Sequence, residues 1–294
     1  MPIRLVVTDM DGTLYSWVDY IVPAVEAMVT AVCEATGFPR IKVVQSLKEV
    51  YERYESNEYP FALQESSIFK EFPEFGSFDK LIIEPARIAF SGARRKYLQP
   101  FKGVESTLKE LQARKIPVAA LTDAPRNPAE QRVRLMKLDQ YISAVYSLPG
   151  FTFPKGPDGK DLVAPDILRN QERGKYSVAC KLVELPREAE KPNTVGLRQI
   201  LQDFGVEPNE VLLIGDSVKK DIAVARELGV LDAWAEYGTY VSLEYRERLD
   251  IISAPAITRR HASSVFEAGH KKALEPTHTL SNFAQVLGIL DARA

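Results

Sequence analysis

The chain begins with a short apolar run, Ile3-Arg4-Leu5-Val6-Val7, that leads directly into Thr8-Asp9-Met10-Asp11-Gly12-Thr13. A β-branched run of this kind reads as a strand buried on both faces, and such strands belong in parallel sheets. Open α/β sheets bind their ligands just beyond the carboxyl ends of the strands, so Asp9 and Asp11 are placed where chemistry is normally done. Two residues apart in extended chain, they share a side, and Gly12 lets the chain turn sharply behind them. Like charges this close resist joint ionisation unless a cation or a shared proton compensates them. Taken alone, the stretch is equally readable as a solvated Asp-Gly turn.

Two further strands end the same way. Pro117-Val118-Ala119-Ala120-Leu121 runs into Thr122-Asp123, and Val211-Leu212-Leu213-Ile214 runs into Gly215-Asp216-Ser217, with Asp221 one helical turn further on. If the three strands are neighbours, one sheet edge collects Asp9, Asp11, Thr122, Asp216 and Asp221. An oxygen-rich site of that kind suits a hard cation such as Mg²⁺. Thr122, with the N–H groups at the start of the following helix, could bind phosphate oxygens. An anion site facing a carboxylate-held cation points to phosphoryl chemistry.

With these residues in hand, the chain resembles the haloacid dehalogenase-like hydrolase superfamily. Its four motifs occur in order as Asp9-Met10-Asp11-Gly12-Thr13, Leu121-Thr122-Asp123, Lys191-Pro192-Asn193, and Gly215-Asp216-Ser217 through Asp221. Pro100-Phe101-Lys102-Gly103-Val104 and Gln202-Asp203-Phe204-Gly205-Val206-Glu207-Pro208 reinforce the match. The resemblance implies an α/β fold, a Rossmann-like parallel sheet with helices on both faces, plus an inserted all-helical cap domain. The catalytic core would be residues 1–14 and 99–294, and the cap residues 15–98.

The function it implies is a Mg²⁺-dependent phosphatase that hydrolyses a small phosphomonoester through an aspartyl-phosphate. Asp9 would be the nucleophile and Asp11 the general acid and base. Mg²⁺ would be held by Asp9, the Asp11 backbone carbonyl and Asp216, with Asp221 as a further ligand or supporting partner. Thr122 and Lys191 would bind the phosphoryl oxygens, with Asp123 beside them on the substrate side. Lys175 and Lys181 compete for the place of Lys191. Aspartate at the second carboxylate position is like the phosphatases and phosphomutases of the superfamily and unlike its dehalogenase and phosphonate-cleaving branches. A sugar phosphomutase, which would depend on a bisphosphate activator, is one alternative. A non-catalytic binding protein on the same fold is another, though the complete motif set argues against it.

Composition narrows the partners. At 294 residues and 45% hydrophobic content the chain can bury a core and an inserted module, and its net charge of −2 gives no electrostatic case for nucleic acid or an anionic membrane. Two cysteines, Cys33 and Cys180, make no disulfide framework. Met1-Pro2-Ile3-Arg4 lacks the apolar stretch of a signal peptide, so a cytoplasmic location is expected. The longest apolar stretch, Ile21 to Cys33, is broken by Pro23 and Glu26 and is too short to span a bilayer. The expected partner is a small phosphorylated metabolite, with no nucleic acid and no membrane, and a homodimer left open.

The insert reads as helices. One starts at Pro23 and stops at Gly37, a second carries Val43, Val44, Leu47, Val50, Tyr51 and Tyr54, and a third runs from near Pro85 to Tyr97 with Ile88 on its buried side. Tyr51, Tyr54, Tyr59, Phe61, Phe69, Phe72, Phe75 and Phe78 read first as the interior of this module. The sharper reading makes Asn57-Glu58-Tyr59-Pro60-Phe61 with Gln64-Glu65 a substrate-selecting loop, with Tyr59 and Gln64 as contacts. Farther on, Asn127-Pro128 marks a helix start, and Gly205 and Gly229 mark helix ends. Residues 149–190, with Gly156-Pro157-Asp158-Gly159-Lys160, read as a surface elaboration, and 240–274 as a helical addition to the core. Pro276 to Leu280 reads as the last core strand, with Ser281 capping the closing helix. His261, His270 and His278 have no metal-like spacing.

Overall fold

The computed structural model describes residues 1–71, 78–151, 155, 159, 177–258 and 275–293. Among the described residues seven strands, β1 (Leu5–Thr8), β2 (Val118–Pro125), β3 (Ala144–Leu148), β4 (Lys181–Glu184), β5 (Val211–Gly215), β6 (Leu231–Trp234) and β7 (His278–Thr279), form one sheet in the order β4-β3-β2-β1-β5-β6-β7. Every pairing is parallel. β1 is central, with β2 on one side and β5 on the other, so the strand order reverses at β1 and a crevice opens at its carboxyl end. The register aligns Thr8 with Ala120 and with Ile214. The chain therefore leaves all three strands at one level, which brings Asp9, Thr122 and Asp216 to a common edge.

Period-two alternation explains how the sheet is covered. Leu5 and Val7 of β1 pack with Leu121, Tyr146 and Leu213 and with Leu197 and Ile200 of the helix Val195–Phe204. Val6 and Thr8, pointing the other way, are buried too. Val195–Phe204 ends at Gly205 and Ala223–Leu228 at Gly229, both left-handed, as their sequence positions predict. The helix after β2 is Arg126–Leu135, so Asn127 and Pro128 lie inside its first turn rather than ahead of it. β7 pairs with β6 at the sheet edge. Ser281 lies ahead of the turn Phe283–Gln285 and does not cap the closing helix Val286–Asp291.

The chain divides into two compact units. The described residues of Met1–Tyr15, Pro100–Thr239 and His270–Ala294 form one, and those of Ser16–Gln99 and Tyr240–Gly269 form the other. The second unit is helical, and it includes the helix Leu243–Ile252, which the sequence reading assigned to the core. Arg248 Nη2 donates to Glu26 Oε2 at 2.6 Å and Lys48 Nζ to the Asp250 carbonyl at 2.9 Å, tying that helix to the insert.

Within this unit the first helix is Trp17–Thr36, not one that starts at Pro23. Ser16 accepts a hydrogen bond from Asp19 N at 3.2 Å and sets the start. An interior proline costs about 3 kcal/mol, but each fully buried large side chain returns about 1.5–3 kcal/mol. Tyr20, Ile21, Val22, Val25, Val29 and Val32 are all buried, so burial wins. The second helix, Arg40–Tyr54, buries Val43, Val44, Leu47, Val50 and Tyr51 as expected. The third, Glu84–Tyr97, turns Ile88 outward, 60% exposed. A π turn over Asp79–Ile83 precedes it, and the inward stripe runs through Phe78, Ile82 and Ala86, two residues out of phase with Ile88. Phe72, Phe75, Lys175, His261, His270 and most of the turn around Gly156 lie outside the described residues. Among the described residues no helix is long and apolar enough to cross a membrane.

Candidate active site

The loop after β1 is tightly closed. Asp9 N donates to the Ile214 carbonyl at 2.8 Å, Leu14 N to Met10 O at 2.9 Å, and Gly12 N to Tyr15 O at 2.8 Å. Gly12 has φ +77°, and a Cβ built there would stand 2.3 Å from Asp216 Oδ2. Glycine is thus required for both the turn and the approach of Asp216. Across the edge, Trp234 Nε1 donates to the Asp216 carbonyl at 2.8 Å, and Ser217 N donates to Asp221 Oδ2 at 3.1 Å. Asp221 lies in the turn Val218–Ile222 and packs against the backbone of Gly215, where a Cβ would meet its carboxyl carbon at 2.1 Å.

Lys191 joins these carboxylates. Its Nζ donates to Asp9 Oδ1 and to Asp221 Oδ1, each at 2.6 Å, and the residue is 4% exposed. The competitor Lys181 stands exposed on β4, 3.6 Å from Asp203. Asp123, expected on the substrate side, has its carboxylate engaged otherwise. It accepts from Lys191 N at 3.0 Å and from Lys220 Nζ at 2.8 Å, which makes it a support for the Lys191 segment. Thr122 is buried, and its Oγ1 accepts from Ala124 N at 3.1 Å.

Asp9, Asp216 and Asp221 each bring a carboxylate oxygen within 4.8 Å of the others. Burial pushes Asp9 up to about 7; Lys191 pulls it down, and the charges of Asp221 and Asp11 push it up again. Loss of hydration, followed by the charges of Asp9 and Asp221, raises Asp216 well above the usual carboxylate range. Burial works against the charge on Lys191, but Asp221, Asp9 and Asp123 outweigh it and hold the ammonium protonated. Among the described residues one ammonium meets three carboxylates, which leaves the cluster short of positive charge, and each carboxylate offers oxygen to a cation. The residues fit a hard divalent cation such as Mg²⁺.

The Asp11 carboxylate is outside that trio and faces another way. Arg132 Nη1, on the helix after β2, donates to its Oδ2 at 2.7 Å and Oδ1 at 3.0 Å, and contacts Tyr15 Oη at 3.1 Å. The sequence reading missed Arg132. Its signal was available, because Arg132 falls on the same helix face as Pro128, Ala129 and Val133, where only apolar or paired residues belong. Tyr237 and Gly238 were also missed, and no motif marks them. Tyr237 Oη donates to the Thr13 carbonyl at 2.6 Å. At Gly238 a Cβ would lie 1.4 Å from the carbonyl oxygen of Gly12. Gly238→Ala is therefore expected to displace the Asp9 loop and to cost about 1–3 kcal/mol or more in urea unfolding. An unchanged midpoint and slope would contradict this backbone contact.

The expected substrate contacts of the insert fare differently. Tyr59 is 3% exposed, stacks on Tyr54 with ring centroids 3.6 Å apart, and donates its hydroxyl to Glu65. It belongs to the interior of the helical unit, so its assignment as a substrate contact is corrected. Glu58 is pinned by Trp17 Nε1 at 3.2 Å and Tyr20 Oη at 3.0 Å. Gln64 is half-buried in the same turn region.

Comparison with known proteins agrees with this geometry. The family described as haloacid dehalogenase-like hydrolase matches residues 3–169, more than half of the chain, and one described as HAD-hydrolase-like matches residues 188–251. The protein belongs to the haloacid dehalogenase-like hydrolases. A curated relative, the glyceraldehyde 3-phosphate phosphatase of Pyrococcus furiosus, is 34% identical over 64 residues, 21% of this chain and 27% of that protein. The chain thus spans about a quarter of that relative's length. Among solved structures, the 2-haloacid dehalogenase of Pseudomonas syringae pv. Tomato DC3000 aligns at 18% identity and TM-score 0.55, covering 99% of this chain and 100% of that one. A HAD phosphatase of Thermococcus onnurineus aligns at 15% identity and TM-score 0.53, with the same coverage. At these identities the two structures speak to the fold.

Proposed function

We propose that the protein is a phosphatase of small phosphomonoesters working through an aspartyl-phosphate on Asp9. What carries the reading is the division of labour between two carboxylates two residues apart. Asp9 lies in the cluster with Lys191, while Asp11 is turned out of it toward Arg132. Two carboxylates in different surroundings suit two roles, nucleophile and proton carrier.

Lys191 holds Asp9 Oδ1, and Oδ2 is the more weakly held oxygen, with Thr13 Oγ1 at 3.4 Å. An Asp9 oxygen attacks phosphorus in line as the ester P–O bond breaks, and Asp11 gives its proton to the leaving alkoxide. Asp11 then takes a proton from water, whose oxygen attacks phosphorus and releases phosphate and the Asp9 carboxylate. Lys191 and Thr122 stabilise the phosphoryl oxygens, Lys191 with a charge that its neighbours keep fixed. Asp9, Asp216 and Asp221, with the Asp11 carbonyl, would hold Mg²⁺, which supplies neutralisation of the phosphoryl charge.

A halide leaves without a proton and has no use for an acid at Asp11, which favours the ester over a haloacid as substrate. The test is phosphate release from alkyl, sugar and carboxylated phosphomonoesters with Mg²⁺ present, beside chloride release from 2-chloropropionate. Phosphate from at least one ester group without a bisphosphate activator is expected. Chloride release with every ester inert would overturn the reading, and strict dependence on a bisphosphate would move it to a phosphomutase.

A further inference from the structure

We infer that Arg132 is a positioning residue for the proton-carrying step, holding the Asp11 carboxylate toward the leaving group and out of the cation cluster. This rests on the phosphatase reading of the same site. Arg132 is 2% exposed, on a helix face otherwise made of Pro128, Ala129 and Val133. Desolvating an arginine and a carboxylate offsets most of their mutual attraction, and an apolar side chain would serve packing at least as well. The geometry is specific where the energetics are not. A single nitrogen, Nη1, spans both oxygens of Asp11 and reaches the hydroxyl of the fully buried Tyr15. The Tyr15 backbone in turn pairs with Asp11 and with Pro100, so both ends of the contact are anchored.

The consequence is positional. Without this tether the Asp11 carboxylate, 28% exposed, loses the two hydrogen bonds that turn it away from the cation that Asp9, Asp216 and Asp221 would bind. A carboxylate captured there cannot protonate the alkoxide. Arg132 thus acts on the reaction through Asp11, at the step in which the ester oxygen gains its proton as the P–O bond breaks.

The test separates leaving groups that need a proton from those that do not. In a scheme with a covalent intermediate, kcat/KM reports the steps up to formation of aspartyl-phosphate, so the later hydrolysis does not enter. Arg132→Met is expected to lower kcat/KM for an alkyl phosphate about 10-fold or more while changing it less than about 3-fold for 2,4-dinitrophenyl phosphate. Arg132→Lys, which can still place one donor near Asp11, is expected to recover part of the alkyl activity, and it carries the same comparison if Arg132→Met does not fold. Asp11→Asn should show the same selectivity more strongly, and adding Arg132→Met to it should cost little more. Equal losses on both substrates, or losses that multiply in the double variant, would overturn the inference while leaving the phosphatase reading in place. A wild-type protein inert toward both esters would overturn that reading and this one with it.

Discussion

Asp9→Asn is expected to reduce phosphate release by about 10⁴-fold or more in a protein that remains folded. The amide keeps an oxygen that can accept from Lys191 Nζ, so the 2.6 Å contact can survive while the carboxylate proposed as nucleophile is gone. Stability should not suffer. Asp9 is one of three carboxylates crowded around one ammonium, and removing its charge relieves the repulsion that raises Asp216. The variant is therefore expected to unfold at a temperature equal to or above that of the metal-free wild type. Asp11→Asn, by contrast, loses proton transfer and should fall by about 10²–10⁴. Substantial turnover by folded Asp9→Asn would remove the covalent mechanism.

Removal of the cation should have the next largest effect. Chelation is expected to abolish turnover reversibly and to expose a pH dependence of stability with a definite sign. The carboxyl of Asp9 is raised from 3.8 to about 7 in the fold, and Asp216 is raised as well, so the folded state binds these protons more tightly than the unfolded chain. Stability then falls as pH rises through that window. Lys191 does not offset this, because its raised value keeps it protonated in both states there. The metal-free protein should thus be more stable near pH 5 than near pH 7.5. Mg²⁺ at about one hundred times its dissociation constant should restore about 2.7 kcal/mol at the higher pH, and less at the lower. Thermal unfolding with and without Mg²⁺ at the two pH values checks both signs. A metal-independent curve would contradict the cation site.

The candidate site was legible because three apolar runs each end in carboxylate or hydroxyl residues, and a parallel sheet must bring such ends together. Asp9, Thr122, Asp216 and Asp221 follow from that argument. Lys191 came from the family resemblance instead, since a lysine outside a strand end has no local signature, and its burial against Asp9 and Asp221 separates it from the exposed Lys181. Arg132 was readable from helical phase as a charge on an apolar face, but what it pairs with is set by tertiary structure. Gly238 carries no signal at all, since its constraint is the backbone of Gly12, distant in sequence. The helix Leu243–Ile252 was visible as a helix, but its packing partner was not, because Leu249 and Ile252 would serve either unit. Ile88 failed through the π turn ahead of it, and Tyr59 through an aromatic cluster whose interior and rim look alike in sequence.

A phosphoryl group carried covalently on Asp9 can be trapped. The protein would be mixed with a phosphomonoester it turns over, quenched in acid within a single turnover, and reduced with borohydride, which converts an acyl phosphate to the alcohol. Peptide mass spectrometry should then find the reduced side chain at position 9 in wild type, and in larger amount in Asp11→Asn when the ester is 2,4-dinitrophenyl phosphate, whose leaving group needs no proton while hydrolysis of the intermediate is slowed. Steady turnover with position 9 unmodified, or with the label on another residue, would contradict an aspartyl-phosphate on Asp9.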